Sequence, residues 1–225
     1  METTMCGGPH DSTVFGADEA GKGPVLGSMF AAAVAVADPA DLPADVDDSK
    51  NVAPQRREEL AAELRASDAV TVGVAEIPTE RIDDPATDMN SLTVAAQAEA
   101  ISQVAAADAT GVVDAGDTDA ARFGRRVADA VAVPVDVTAE HGADGSHAVV
   151  GAASVVAKVE RDAHVDRLAD EHGDVGSGYP SDPTTRRFLR EYVDEHGELP
   201  DCARTSWGTC DDVLAAREQS ALDEF

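Results

Sequence analysis

The chain has 225 residues, room for one large domain with a sizeable core and no need of a second. Its 44 acidic residues outnumber 17 basic ones, for a formal net charge of -27, and aromatic residues make up only 4%. The core must therefore come from Ala, Val and other small or β-branched side chains. No apolar run approaches the roughly 18 uncharged residues of a membrane span, and residues 1–13 lack the basic and apolar regions of a secretory leader, so a cytoplasmic protein is expected. Cys6, Cys202 and Cys210 follow no zinc or redox spacing and read as isolated thiols. Charge of this size is the mark of a halophile, because in molar salt the Debye length falls to about 3 Å and self-repulsion is screened. Such acidity would ordinarily exclude a nucleic-acid binder. In molar salt that exclusion weakens, since basic patches lose most of their counterion-release advantage there.

In chain order, residues 1–12 are polar and read as a disordered tail. Val14 to Asp18 is a short strand, and after a turn at Gly21 to Pro24 the run Val25 to Val36 is a longer one, which suggests a hairpin. A Pro/Asp-rich loop over 39–51 leads to a helix opening at Pro54, with Leu60 and Leu64 on one face. Ala69 to Ile77 is a third strand. A helix over Asp88 to Ala107, a strand over Gly111 to Asp114, a helix over Asp119 to Val131 and a strand over Val133 to Thr138 follow. Helices over Ser146 to Glu171, Pro183 to Glu195 and Thr209 to Leu222 close the chain. This order predicts an α/β fold with a mixed sheet, its first three strands antiparallel and its last two parallel.

The segment GADEAGKGPVLG over 16–27 is the richest in chemistry. Gly16, Gly21 and Lys22 stand at the spacing of a nucleotide-binding P-loop. Gly23, however, offers no hydroxyl for Mg²⁺, the run after Pro24 reads as strand rather than helix, and Asp18 and Glu19 put carboxylates where phosphates would sit. Two adjacent carboxylates at a strand end instead suit a hard divalent cation, Mg²⁺ or Mn²⁺. The three lysines of the chain, Lys22, Lys50 and Lys158, read as kept where they matter, with chance retention the alternative for any one of them.

Asp18 and Glu19 before Gly21-Lys22-Gly23 resemble the opening motif of the ribonuclease HII family, with Lys where the family has Arg in its Gly-Arg-Gly turn. The resemblance continues through DDSK at 47–50, MNSL at 89–92, GVVDAGD at 111–117, AEHGAD at 139–144, AASVVAKVERD at 152–162, GSGYPSDPTTRRFL at 176–189 and RTSW at 204–207. It covers roughly residues 14–210. Gly142 departs from the Lys expected in archaeal members. The resemblance implies a ribonuclease H-like five-stranded sheet flanked by helices, with a catalytic domain over 13–172 and a C-terminal helical extension over 173–218. It implies Asp18, Glu19, Asp114 and Asp144 as catalytic metal ligands for two ions about 4 Å apart. Substrate contacts would come from Gly21, Lys22, Gly23, Lys50, Asn90, Lys158, Tyr179 and Arg204, with the turn reading the 2′-hydroxyl that separates RNA from DNA.

For most of the 44 acidic residues a solvated surface charge is the ordinary role. Asp117, three residues past Asp114, is read that way, His141 as polar packing, and Tyr179 as either a turn aromatic or a substrate contact. Gln219, Leu222 and Phe225 stand at the spacing of a sliding-clamp (PCNA) binding peptide, although a frayed helix end fits residues 219–225 as well. The expected function is two-metal cleavage of the RNA strand of RNA·DNA hybrids, with nicking at ribonucleotides embedded in duplex DNA, by a monomer. The rivals are a P-loop NTPase and a non-catalytic clamp adaptor.

Overall fold

The computed structural model describes residues 13–46 and 53–223. Five strands, β1 (Val14–Ala20), β2 (Met29–Val36), β3 (Val70–Ile77), β4 (Ala109–Asp114) and β5 (Val135–Glu140), form one sheet in the order β3-β2-β1-β4-β5. The pairs β1·β2 and β2·β3 are antiparallel, and β1·β4 and β4·β5 are parallel, as expected. The helices are α1 (Pro54–Ala66), α2 (Thr79–Ile82), α3 (Met89–Ile101), α4 (Ala120–Ala130), α5 (Ala148–His172), α6 (Pro183–His196) and α7 (Gly208–Asp223). No helix among the described residues is long and apolar enough to cross a membrane.

Alternation along the central strands sorts the core into two layers. Phe15, Ala17, Met29, Ala31 and Ala33 face α3 and α4, where Leu92, Ala96, Phe123 and Val127 complete one cluster. Ala32, Val34 and Val36 face the other way, onto Leu60 and Leu64 of α1 and Val149 to Ala157 of α5. A third cluster joins Val25, Leu26 and Leu168 to Phe188, Leu189 and Val193 of α6 and Cys210 and Val213 of α7, so the C-terminal helices share a core with the β1–β2 connection. Cys202 and Cys210 lie in it, and burial pushes both thiols up, to about 12 and about 11.

Three local expectations are corrected. The second strand begins at Met29 rather than Val25, because Gly27 has a φ of 76° and the segment before it bonds elsewhere: Val25 N–H donates to Gly178 O and Gly27 N–H to Cys202 O. The third helix stops at Ile101 instead of Ala107, and the one-turn helix α2 was not foreseen. Asp88 caps α3 from outside, accepting from the N–H groups of Asn90 and Ser91. Lys50 and the rest of DDSK lie outside the described residues, as do residues 1–12 and Phe225.

The central strand packs on α5 at backbone contact. A Cβ on Gly16 would lie 2.5 Å from both Val149 C and Val150 N, closer than any real contact of that kind. Gly16→Ala should therefore lower stability by about 1–3 kcal/mol through overpacking; urea melts of the two proteins measure it.

Candidate active site

Because β1 and β4 run parallel as neighbours, their C-terminal ends fall at one edge of the sheet. Ala17 pairs with Val113, which sets Asp18 beside Asp114. Asp18 is 6% exposed and faces α5, while Glu19 points to the opposite face, where Gln97 Nε2 donates to its Oε2 at 2.7 Å. The same nitrogen donates to Asp114 O at 3.0 Å, so one wholly buried amide ties the two strand ends together. Asp144 sits in the 3₁₀ turn Ala143–Gly145 between β5 and α5, entered through Gly142 at a left-handed φ of 68°. The N–H of Ala143 donates to Asp114 Oδ1 at 2.8 Å, which brings that turn against the end of β4.

Electrostatics confirm the crowding. Burial pushes Asp18 up to about 6, the charge of Asp114 adds to this, and the Ser154 hydroxyl comes close enough to offset part of it, though without a hydrogen bond of normal geometry. Burial, then the charge of Asp18, pushes Glu19 up to about 8. Among the described residues no three acidic, histidine or cysteine side chains already stand close enough to grip an ion between them. The donor set is nevertheless all oxygen, with Asp18 and Asp144 buried and Glu19 and Asp114 partly so, which suits hard divalent cations.

Beside the carboxylates lies an open cleft of about 470 Å³ lined by Glu19, Gly21, Lys22, Gly23, Lys158 and Tyr179 among others. Lys22 does not reach into it as a free charge, because its Nζ donates to Gly116 O at 2.5 Å and to Asn90 Oδ1 at 3.0 Å. Asn90 thus serves the turn. Arg161 lies 5.1 Å from the Tyr179 ring, and Asp162 pairs with both Arg57 and Arg161 at 3.0 Å. Tyr179 is 39% exposed, and a Cβ on Gly23 would meet its Cε1 at 3.5 Å.

Arg204, expected at the substrate, is instead wholly buried beneath the turn. Its guanidinium donates to Gly27 O at 2.8 Å, Lys22 O at 3.1 Å and Gly21 O at 2.6 Å. Asp117, expected on the surface, is buried and paired with Arg122, which holds its carboxyl below the usual range. His141 is exposed. The P-loop reading fails on connectivity: the chain after Lys22 runs into β2, with no helix between them. Gln97 and Ser154 were missed. Ser154 was visible as a lone polar residue within the apolar helical run AASVVA, whereas Gln97 shares its run, TVAAQAEAI, with Thr93 and the exposed Glu99 and is not singled out by it.

The family model for ribonuclease HII matches residues 15–210. The chain belongs to the ribonuclease HII family. A ribonuclease HII of Haloarcula marismortui is 70% identical over 211 residues, which is 94% of this chain and 99% of that protein. Among solved structures, the ribonuclease H2 of Pyrococcus horikoshii OT3 matches with a TM-score of 0.84 at 32% identity, over 92% of this chain and 99% of that one. The ribonuclease HII of Archaeoglobus fulgidus, solved as a complex with PCNA, matches with a TM-score of 0.79 at 37% identity, over 89% and 96%. This member of the ribonuclease HII family is thus an enzyme of ribonuclease H type, built on the expected fold.

The raised carboxylates oppose folding once ionised. A group whose folded value lies above its unfolded one gives stability that is complete below the unfolded value and lost as pH rises through the folded one. In metal-free buffer, thermal stability should fall between about pH 4 and about pH 8 on account of Asp18 and Glu19. Glu19→Gln should raise the Tm at pH 8, by about 2–4 °C for each kcal/mol relieved, and flatten that decline. Calorimetry with EDTA measures both.

Proposed function

We propose that this protein cleaves the RNA strand of RNA·DNA hybrids and nicks duplex DNA on the 5′ side of an embedded ribonucleotide, acting in the cytoplasm as a monomer with Mg²⁺ or Mn²⁺. The observation that carries the reading is the meeting of Asp18, Glu19 and Asp114 at adjacent strand ends beside the Gly21–Gly23 turn, with Asp144 in the turn bonded to Asp114. Asp18, Glu19, Asp114 and Asp144 would hold two divalent ions, which when bound supply an activated water and stabilise the departing 3′ oxygen, leaving 5′-phosphate and 3′-hydroxyl ends.

The chain's own groups do the rest. Gln97 orients Glu19, and the N–H of Ala143 orients Asp114. The backbone N–H groups of Gly21, Lys22 and Gly23 donate to the 2′-oxygen, which deoxyribose lacks. Lys158 and Arg161 meet phosphates along the cleft, and Tyr179 packs on the sugar across the RNA-to-DNA junction. Residues 13–172 supply the catalytic body and 173–218 the extension that carries Tyr179. The affiliation with Haloarcula and the charge of -27 favour molar salt as the working medium.

In molar KCl with Mn²⁺, a duplex carrying one ribonucleotide should be nicked 5′ of that residue, and an intact duplex after prolonged incubation would overturn the assignment. Asp114→Asn should lower kcat on the order of 10³-fold or more with an unchanged circular dichroism spectrum.

Residues 219–225 are the second element of this reading. Helix α7 runs through Gln219 and Leu222, and Gln219 is exposed. The Archaeoglobus relative solved with PCNA favours a clamp partner for this tail. Phe225→Ala should weaken binding to an archaeal sliding clamp by about tenfold or more, as loss of a buried aromatic anchor does; surface plasmon resonance gives the comparison.

A further inference from the structure

All three carbonyl oxygens of the Gly21-Lys22-Gly23 turn are taken from beneath by one pair of side chains. Arg204 Nη2 donates to Gly21 O at 2.6 Å, Arg204 Nη1 to Lys22 O at 3.1 Å and Trp207 Nε1 to Gly23 O at 3.4 Å. The guanidinium also lies 5.1 Å from the Trp207 ring, and its third donor, Nε, holds Gly27 O at 2.8 Å. On the other side of the turn the pattern reverses. Among the described residues, nothing accepts a hydrogen bond from the N–H of Gly21, Lys22 or Gly23. A turn whose acceptors are all engaged inward presents its donors outward, and here outward is the cleft.

The grip is rigid at its own base. Asp83 accepts from the N–H and hydroxyl of both Thr205 and Ser206, with distances of 2.5 to 2.9 Å, and so fixes the two residues between Arg204 and Trp207. Arg204 N–H donates to Val25 O at 2.8 Å and Cys210 Sγ to Arg204 O at 3.3 Å, which locks the backbone on both sides. No side chain of ordinary shape replaces this one. A planar guanidinium fans its donors toward three carbonyls at fixed angles, whereas an ammonium reaches fewer and a neutral amide fewer still.

From this geometry we infer that Arg204, with Trp207, is the positioning device for sugar selectivity: it touches no substrate, yet it fixes the three N–H groups that tell a ribonucleotide from a deoxyribonucleotide. The inference rests on the reading that this turn meets the 2′-oxygen. Gly21, with a φ of 86°, and Gly23 would otherwise leave the turn free to sample many shapes. A donor set displaced by about 1 Å loses on the order of 100-fold in rate, so the grip bears on selectivity more than on affinity for duplex as such.

The test is the preference ratio of the full-length protein, measured as the affinity for a duplex with one ribonucleotide divided by that for the same duplex in all-DNA form. Fluorescence anisotropy with Ca²⁺ in place of Mn²⁺ gives binding without turnover, and kcat/KM on the first duplex is measured with Mn²⁺. Arg204→Lys should reduce the ratio about tenfold or more and kcat/KM about 100-fold, while affinity for the all-DNA duplex stays within about twofold. Trp207→Phe keeps an aromatic ring beside the guanidinium while removing the Gly23 donor with the rest of the indole; it should reduce the ratio about threefold to tenfold, and it carries the test if Arg204→Lys does not fold. A merely structural arginine would lower the Tm and leave the ratio at its wild-type value, and that result overturns the inference. A wild-type protein with no preference between the two duplexes would instead refute the 2′-oxygen reading beneath it.

Discussion

Two carboxylates on successive residues of one strand end, Asp18 toward α5 and Glu19 toward α3, with a third at the end of the neighbouring strand, are held near one another against their own repulsion. At a separation of 5 Å and an effective dielectric of 20, one pair of unit charges repels by about 3 kcal/mol. The restoring structure is the parallel pairing of β1 with β4 and the close seating of β1 on α5, which Gly16 permits. Gln97 then fastens Glu19 to the end of β4, and Ala143 fastens Asp114 to the next turn. The fold thus stores an unfavourable concentration of negative charge at one edge of the sheet. Bound cations would relieve it, so that metal affinity and fold strain would be two sides of one arrangement.

The turn next to this edge has a different logic. Its flexibility comes from glycine and its shape from elsewhere: from Lys22, which reaches across to Gly116 and Asn90, and from Arg204 and Trp207, which arrive from nearly two hundred residues further on. Gly116 belongs to the loop that follows Asp114. The side chain of Lys22 therefore links the Gly21–Gly23 turn to the loop that follows Asp114. The C-terminal extension is part of the site for the same reason. Its third hydrophobic cluster, built on Val25, Leu26 and Leu189, sets the turn on the catalytic body.

Much of this was legible in the chain itself. Alternation and turn residues gave all five strands, and the carboxylates came from the family resemblance, with Asp18 and Asp114 also marked by the short apolar runs that precede them. What stayed hidden depends on partners distant in sequence. Val25 to Ser28 has the composition of a strand, but Gly178, Cys202 and Arg204 claim its hydrogen bonds, and tertiary pairing overrides local propensity. Asp117 looked like one more surface acid until Arg122 folded back over it. Arg204 was expected at the substrate because its RTSW segment resembles the family's closing motif; only the fold turns its donors inward. A rule that an isolated polar residue in an apolar run is buried for a purpose would have found Ser154 but not Gln97, whose run also carries Thr93 and the exposed Glu99.

The charge balance poses a last question: how a chain with 27 excess negative charges approaches a polyanion. The answer lies in distribution rather than in the total. Two of the three lysines, Lys22 and Lys158, line the one cleft that also holds Arg57 and Arg161, so four of 17 cations concentrate where phosphates would pass. Asp162 pairs with both arginines, which moderates their field but holds them in place. In dilute salt the surrounding acidic surface would dominate at long range and oppose approach. With a Debye length of about 3 Å, that surface is invisible beyond contact distance, and only the groups lining the cleft act on a duplex within it. Recognition by aimed backbone N–H groups loses little under such screening, because a hydrogen bond acts over a distance shorter than the screening length. A site that read its substrate by a rigid turn, as proposed for Gly21 to Gly23, with cations acting only at contact, would therefore suit a medium in which basic patches lose their long reach.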